Sequence, residues 1–161
     1  MKGRKILILG AGTWLVPHII KANELGLLTY VTDWSKDAEG AKYAYNFEAI
    51  DLKDKEATLN YALEHKIEAV YTSADIGVQT AAFVAKHMSL PYHTEALAYC
   101  STNKYAMRKK AKEIKLGIPE FYQVDNIQNA FIQADEIGYP IVIKPVDSFS
   151  SRGVSVVYNR N

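Results

Sequence analysis

The residues best able to do chemistry gather at 139–157, which read YPIVIKPVDSFSSRGVSVV. An apolar run of Ile141, Val142 and Ile143 delivers one lysine, Lys144. A small polar loop follows, with Asp147, Ser148, Ser150, Ser151, Arg152 and Gly153, before a second β-like run at 154–158. Such a loop can fold free backbone N–H groups over phosphates beside an ammonium charge. Pro145 keeps Lys144 extended, and strand alternation puts Ile141 and Ile143 on one face, with Val142 and Lys144 on the other. A lysine on a largely buried strand needs an anionic partner, and phosphate suits it. The alternative is an exposed edge-strand lysine.

Three other clusters carry chemical potential. Gly10-Ala11-Gly12 follows an apolar run and opens a helix, where backbone N–H groups and the helix dipole favour an anion. Asp33 stands where a ribose-binding acid is expected, but a dinucleotide fingerprint would place a third glycine at Leu15. A tight turn without a ligand is the competing reading. Ser73-Ala74-Asp75 lies past another apolar run, at the edge where open α/β sheets bind ligands, although Ser73 or Asp75 could simply cap a helix. Lys104 opens a further helix, at the positive end of its dipole, where a bound phosphate would reverse an unfavourable charge. A solvated lysine is the plainer account. Arg108, Lys109, Lys110, Lys112 and Lys115 read as that helix's wet face.

These residues need elements to hold them. Short apolar runs at 5–9, 28–32, 46–50 and 69–72 alternate with helical patterns, which argues for a parallel sheet with crossover helices. Leu15, Ile19, Ala22 and Leu25 mark a helix over 13–25; Leu59, Ala62, Leu63 and Ile67 mark a second; Val78, Ala81, Ala82 and Ala85 mark a third. The pattern then changes. Helices are expected at 104–116 and after Asp125 or Asn126, with a strand at 121–124 and two strands flanking the polar loop. The expectation is an α/β, Rossmann-like doubly wound domain over 1–98, then the first α+β part of a different domain over 101–161.

Composition narrows the function classes. A formal charge of +1 gives no basic excess for nucleic acid or a membrane surface. One cysteine, Cys100, excludes an internal disulfide and fits a reducing cytoplasm. No apolar run approaches a membrane span. The four histidines lack metal-ligand spacing, and neither a G-x-S-x-G elbow nor a Walker loop is present.

Together these residues resemble the ATP-grasp superfamily of carboxylate–amine ligases. The likeness is to the branch of the carbamoyl-phosphate synthase large subunit, biotin carboxylase and the purine-pathway enzymes. Residues 1–98 look like its pre-ATP-grasp domain, with the GAG turn and SADIGVQTAAFVAKHMSLP; residues 101–161 look like the start of its ATP-grasp domain, with TNKYAMRKKAKEIKLGIPEF and the loop. The resemblance implies that Lys104 and Lys144 contact ATP phosphates under a flap of Ser148, Ser150, Ser151, Arg152 and Gly153. Gly10, Gly12, Asp33, Ser73 and Asp75 are then the substrate-binding candidates. Phe149 at the flap tip is unusual. It also implies ATP and Mg²⁺ as cofactors, a small-molecule carboxylate substrate, an acyl-phosphate intermediate and a cytoplasmic enzyme, with a homodimer left open. The family's catalytic and Mg²⁺-binding residues lie after the flap, so none is placed before Asn161 and the chain alone is expected to be inactive. Two other readings remain: a dinucleotide-binding domain of an oxidoreductase, whose site Trp14 and Trp34 would flank, and a non-catalytic nucleotide-binding module.

Overall fold

The structure, a computed structural model, describes residues 2–160. The chain divides into two compact units, one running to Ala98 and the other starting at Tyr99.

In the first unit, β1 (Lys5–Leu9), β2 (Leu28–Asp33), β3 (Asn46–Ala49) and β4 (Ala69–Tyr71) form one sheet in the order β3-β2-β1-β4. All pairings are parallel, with Leu9 opposite Thr32, Ile8 opposite Tyr71 and Asp33 opposite Ala49. Helix α1 (Val16–Glu24) crosses from β1 to β2 and α2 (Lys55–Glu64) from β3 to β4, while α3 (Val78–His87) follows β4. Alternation along the central strands explains the two-sided cover. Leu7, Leu9, Tyr30 and Val70 pack with Leu59 and Ala62 of α2 and Val84 of α3, whereas Ile8 and Val31 pack with Ile19 and Ala22 of α1. Full burial of each such leucine or isoleucine contributes about 1.5–3 kcal/mol.

Local chemistry sets the ends. Asp54 caps α2 by accepting from the Ala57 N–H at 3.0 Å. The expected helix over 13–25 divides into a 3₁₀ turn, Thr13–Leu15, and then α1, with Pro17 in its first turn. A second 3₁₀ turn, Glu39–Tyr43, was not expected from the sequence.

Helix α4 (Glu95–Thr102) leads into the second unit, where α5 (Lys104–Glu113) and α6 (Ile127–Ile137) precede an antiparallel pair, β5 (Ile141–Ile143) and β6 (Ser155–Val157). Asn103 caps α5 through the Ala106 N–H, and Asn126 caps α6 through the Asn129 N–H. In the pair, Ile141 faces Val157 and Ile143 faces Ser155. The strand expected at 121–124 does not form: the segment has no ladder partner among the described residues. It is held instead by side chains, with the Phe121 ring edge-on to Tyr105 at 5.8 Å and the Tyr122 hydroxyl donating to Glu136 at 2.9 Å.

Candidate functional site

The carboxyl ends of β1, β2 and β4 bring the first unit's candidate residues to one edge. Gly10 has φ +105, and its N–H donates to the Thr32 carbonyl at 2.7 Å. A Cβ there would lie 2.7 Å from Leu15 Cδ1 and 3.7 Å from Ala74 Cβ, so the glycine turn nests directly against the loop after β4. The position above Gly12 is open, with nothing within 4 Å of an added Cβ. A ligand can therefore approach that backbone closely.

Asp33 is buried, and its carboxylate faces its own chain. Oδ2 accepts the Ala11 N–H at 2.7 Å and Oδ1 accepts the Ser35 N–H at 3.0 Å. The acid expected to bind a ribose is instead a latch between the glycine turn and the end of β2. Leu15, standing where a third glycine would be, is buried in the core beside α1. Both observations count against the dinucleotide reading. The latch extends through Gly40, whose N–H donates to the Ala11 carbonyl at 2.7 Å, and through Thr13, whose hydroxyl donates to Glu39 at 2.9 Å.

Ser73 and Asp75 have the opposite character. Both are exposed, and neither caps a helix: the 3₁₀ turn at Asp75–Gly77 and α3 both start without a side-chain cap. The hydroxyl and carboxylate have no partner among the described residues, so both are available to a ligand.

The second unit joins Lys104 to the flap. The Lys104 N–H donates to the Val146 carbonyl at 2.8 Å, its ammonium donates to the Ser148 carbonyl, and the same ammonium sits 5.8 Å from the Phe149 ring centre. The flap is closed on itself by the Ser148 hydroxyl, which donates to the Arg152 carbonyl at 2.8 Å. Ser150, Ser151 and Gly153 all have positive φ, at 56, 58 and 71. At Gly153 an added Cβ would fall 2.9 Å from Pro145 Cγ. The N–H groups of Ser150, Ser151 and Gly153 donate to no group among the described residues. Free amides beside a lysine are what a phosphate cradle requires.

Lys144 needs correcting. It is exposed, and β5 is open, with Val142 and Ile143 57% and 46% accessible. Burial therefore does not oblige Lys144 to find an anion; its candidacy rests on standing at the base of the flap. The sequence reading also missed the Lys104–Phe149 contact, which only the folding of the loop onto α5 creates.

Residues 103–161 match the family model described as carbamoyl-phosphate synthase L chain, ATP binding domain. Across 94% of its length the chain is 29% identical to a formate-dependent phosphoribosylglycinamide formyltransferase of Wolinella succinogenes, covering 40% of that protein. Across 95% it is 30% identical to the Burkholderia cenocepacia protein of the same name, covering 39% of it. Among solved structures, 98% of the chain superposes on N5-carboxyaminoimidazole ribonucleotide synthetase from Thermotoga maritima, with a TM-score of 0.77, 19% identity and 41% of that chain covered. The Staphylococcus aureus N5-carboxyaminoimidazole synthetase complexed with ADP gives a TM-score of 0.81 at 19% identity, over 99% of this chain and 43% of that one. The fold is thus that of the N-terminal portions of these synthetases, and over nearly its whole length the chain is similar in sequence to the formyltransferases. The family match covers residues 103–161, little more than a third of the chain, and the whole spans about two-fifths of the relatives it matches.

Proposed function

We propose that this chain supplies the substrate-facing edge and the phosphate-facing flap of a cytoplasmic, ATP-dependent carboxylate ligase of the ATP-grasp type. On this reading residues 1–98 are its pre-ATP-grasp domain and 101–161 the start of its ATP-grasp domain. The observation that carries the reading is Lys104, bound through both its N–H and its ammonium to the flap at Val146 and Ser148. A carbonyl oxygen and an aromatic face occupy the ammonium where phosphate oxygens would replace them.

Lys104 and Lys144 would neutralise phosphate charge while the amides of Ser150, Ser151 and Gly153 donate to phosphate oxygens, with Ser148 and Arg152 holding the loop's shape. At the other candidate edge, Gly12, Ser73 and Asp75 would orient the small-molecule substrate. A substrate carboxylate oxygen attacks the γ-phosphorus as the bond to the bridging oxygen breaks and ADP departs. An amine or thiol then attacks the acyl carbon and phosphate leaves. Positioning and charge neutralisation supply most of the acceleration in such transfers. Magnesium, when bound, would supply further neutralisation of the phosphate charge in this chemistry. Among the described residues no group of three His, Cys, Asp or Glu side chains converges, so no step here is assigned to the metal. No helix among the described residues is long and apolar enough to cross a membrane.

The test is an amide chemical-shift titration of the chain with ATP, which detects millimolar binding. Shifts at Ser150, Ser151 and Gly153 that saturate below about 10 mM and disappear in Lys104→Ala are expected. Unmoved flap amides at that concentration would sink the proposal.

A further inference from the structure

The chain has two tryptophans, and both stand in water at the candidate substrate edge. Trp14, in the 3₁₀ turn after β1, is 89% exposed, and Trp34, the residue after β2, is 75% exposed. Neither indole has a ring or hydrogen-bond partner among the described residues. Tryptophan is a large apolar side chain that folding normally covers in great part. Two on adjacent strand exits are a concentrated, unused stacking surface.

Their placement is fixed by contacts already described. The Asp33 latch ties the β2 exit, and so Trp34, to the turn that leads into Trp14. The same turn abuts Ala74 through Gly10, which brings Ser73 and Asp75 to its other side. Across this edge the order is therefore indole, open glycine backbone with a second indole, then a free hydroxyl and carboxylate. Indole faces take the flat side of a ring; a carboxylate and a hydroxyl take donor hydrogens at its rim.

We propose that the substrate of this edge carries a ring, aromatic or sugar, that stacks on Trp14 or Trp34 and directs hydroxyl or amino hydrogens to Asp75 and Ser73. This rests on the carboxyl edge being the substrate site, and it adds what that site selects.

The experiment uses the indoles as reporters in the intact chain. Their emission is followed during titration with ring-bearing carboxylates, glucuronate for a sugar and histidine for a heteroaromatic ring, and with ring-free glycine and succinate. Amide shifts at Gly12 and Asp75 record binding independently of the rings. Expected is saturable binding of a ring-bearing acid that weakens about tenfold in Trp14→Ala or Trp34→Ala and is kept when phenylalanine replaces the same tryptophan. Whichever acid binds identifies the kind of ring. Because both side chains are exposed, these variants fold, which circular dichroism checks. If ring-free acids shift Gly12 and Asp75 equally and both alanine variants bind as the parent does, the edge is a site but reads no ring, and the inference is overturned. If no acid of either kind shifts those amides, the underlying site fails and the inference fails with it.

Discussion

Asp33 illustrates how one side chain changes meaning between sequence and structure. Its place at the end of the second strand was legible, since a strand pattern and a residue count suffice for that. The direction of its two oxygens was not, because spacing does not distinguish a ligand from the chain's own Ala11 and Ser35 N–H groups. Replacing Asp33 with alanine strands both donors, and the Ala11 N–H is buried. A loss of about 1–3 kcal/mol in urea unfolding is expected, with a smaller loss for Asp33→Asn, which retains one acceptor oxygen. A change within the scatter of surface substitutions, about 0.5 kcal/mol, would show that the latch does not hold the turn. Lys144 was misread for a related reason. Alternation tells which residues share a strand face, but not what covers that face. Ser73 and Asp75 went the other way: the capping role that the sequence also allowed is absent, which leaves their polar atoms free of partners among the described residues.

At the scale of elements, periodicity made most of the first unit readable. β1 is apolar because helices cover both its faces, and α6 runs between Asn126 and Gly138 as its cap and stop residues indicated. The run at 121–124 shows the limit, since β-type residues become a strand only where a ladder partner exists. Long-range fasteners were equally invisible. Glu68, just ahead of β4, accepts the Lys5 N–H at 2.9 Å and the Arg4 guanidinium at 3.1 Å, tying β4 to the start of β1. The backbone bond from Lys5, and then Arg4, hold its carboxyl below the usual glutamate range. A group whose folded value is depressed adds stability above its unfolded value, and that contribution disappears as pH falls through the folded one. Glu68→Gln should therefore lower the melting temperature at neutral pH, and the gap should close in acid once Glu68 itself is protonated. Thermal melts of both proteins across that range decide it; a gap that does not change with pH would mean that the charge contributes nothing.

Across the whole molecule burial is uneven between the units, a contrast composition alone could not show. In the first, Leu7, Leu9, Ile19, Val31 and Val84 are wholly buried. In the second, α5 buries no residue and α6 buries Ala134, while Ile127, Ile132, Ile137, Val142 and Val156 are all exposed. Among the described residues the β5–β6 sheet is two strands wide, below the three or more that give a sheet stability of its own. Backbone opening free energy follows local apolar contact, from near zero in thinly packed segments up to the global value in a core. Native-state hydrogen exchange should thus divide the chain by unit. Amides of β1, β2 and α3 should exchange slowly, at rates that track global unfolding in urea. Those of α5, α6, β5 and β6 should exchange faster by orders of magnitude and respond little to low urea. Protection of α6 equal to that of β1 would contradict this and mean that something covers the second unit's apolar faces. Were that cover a second copy of the chain, the protection would rise with protein concentration; a concentration series in the same exchange experiment reads it directly.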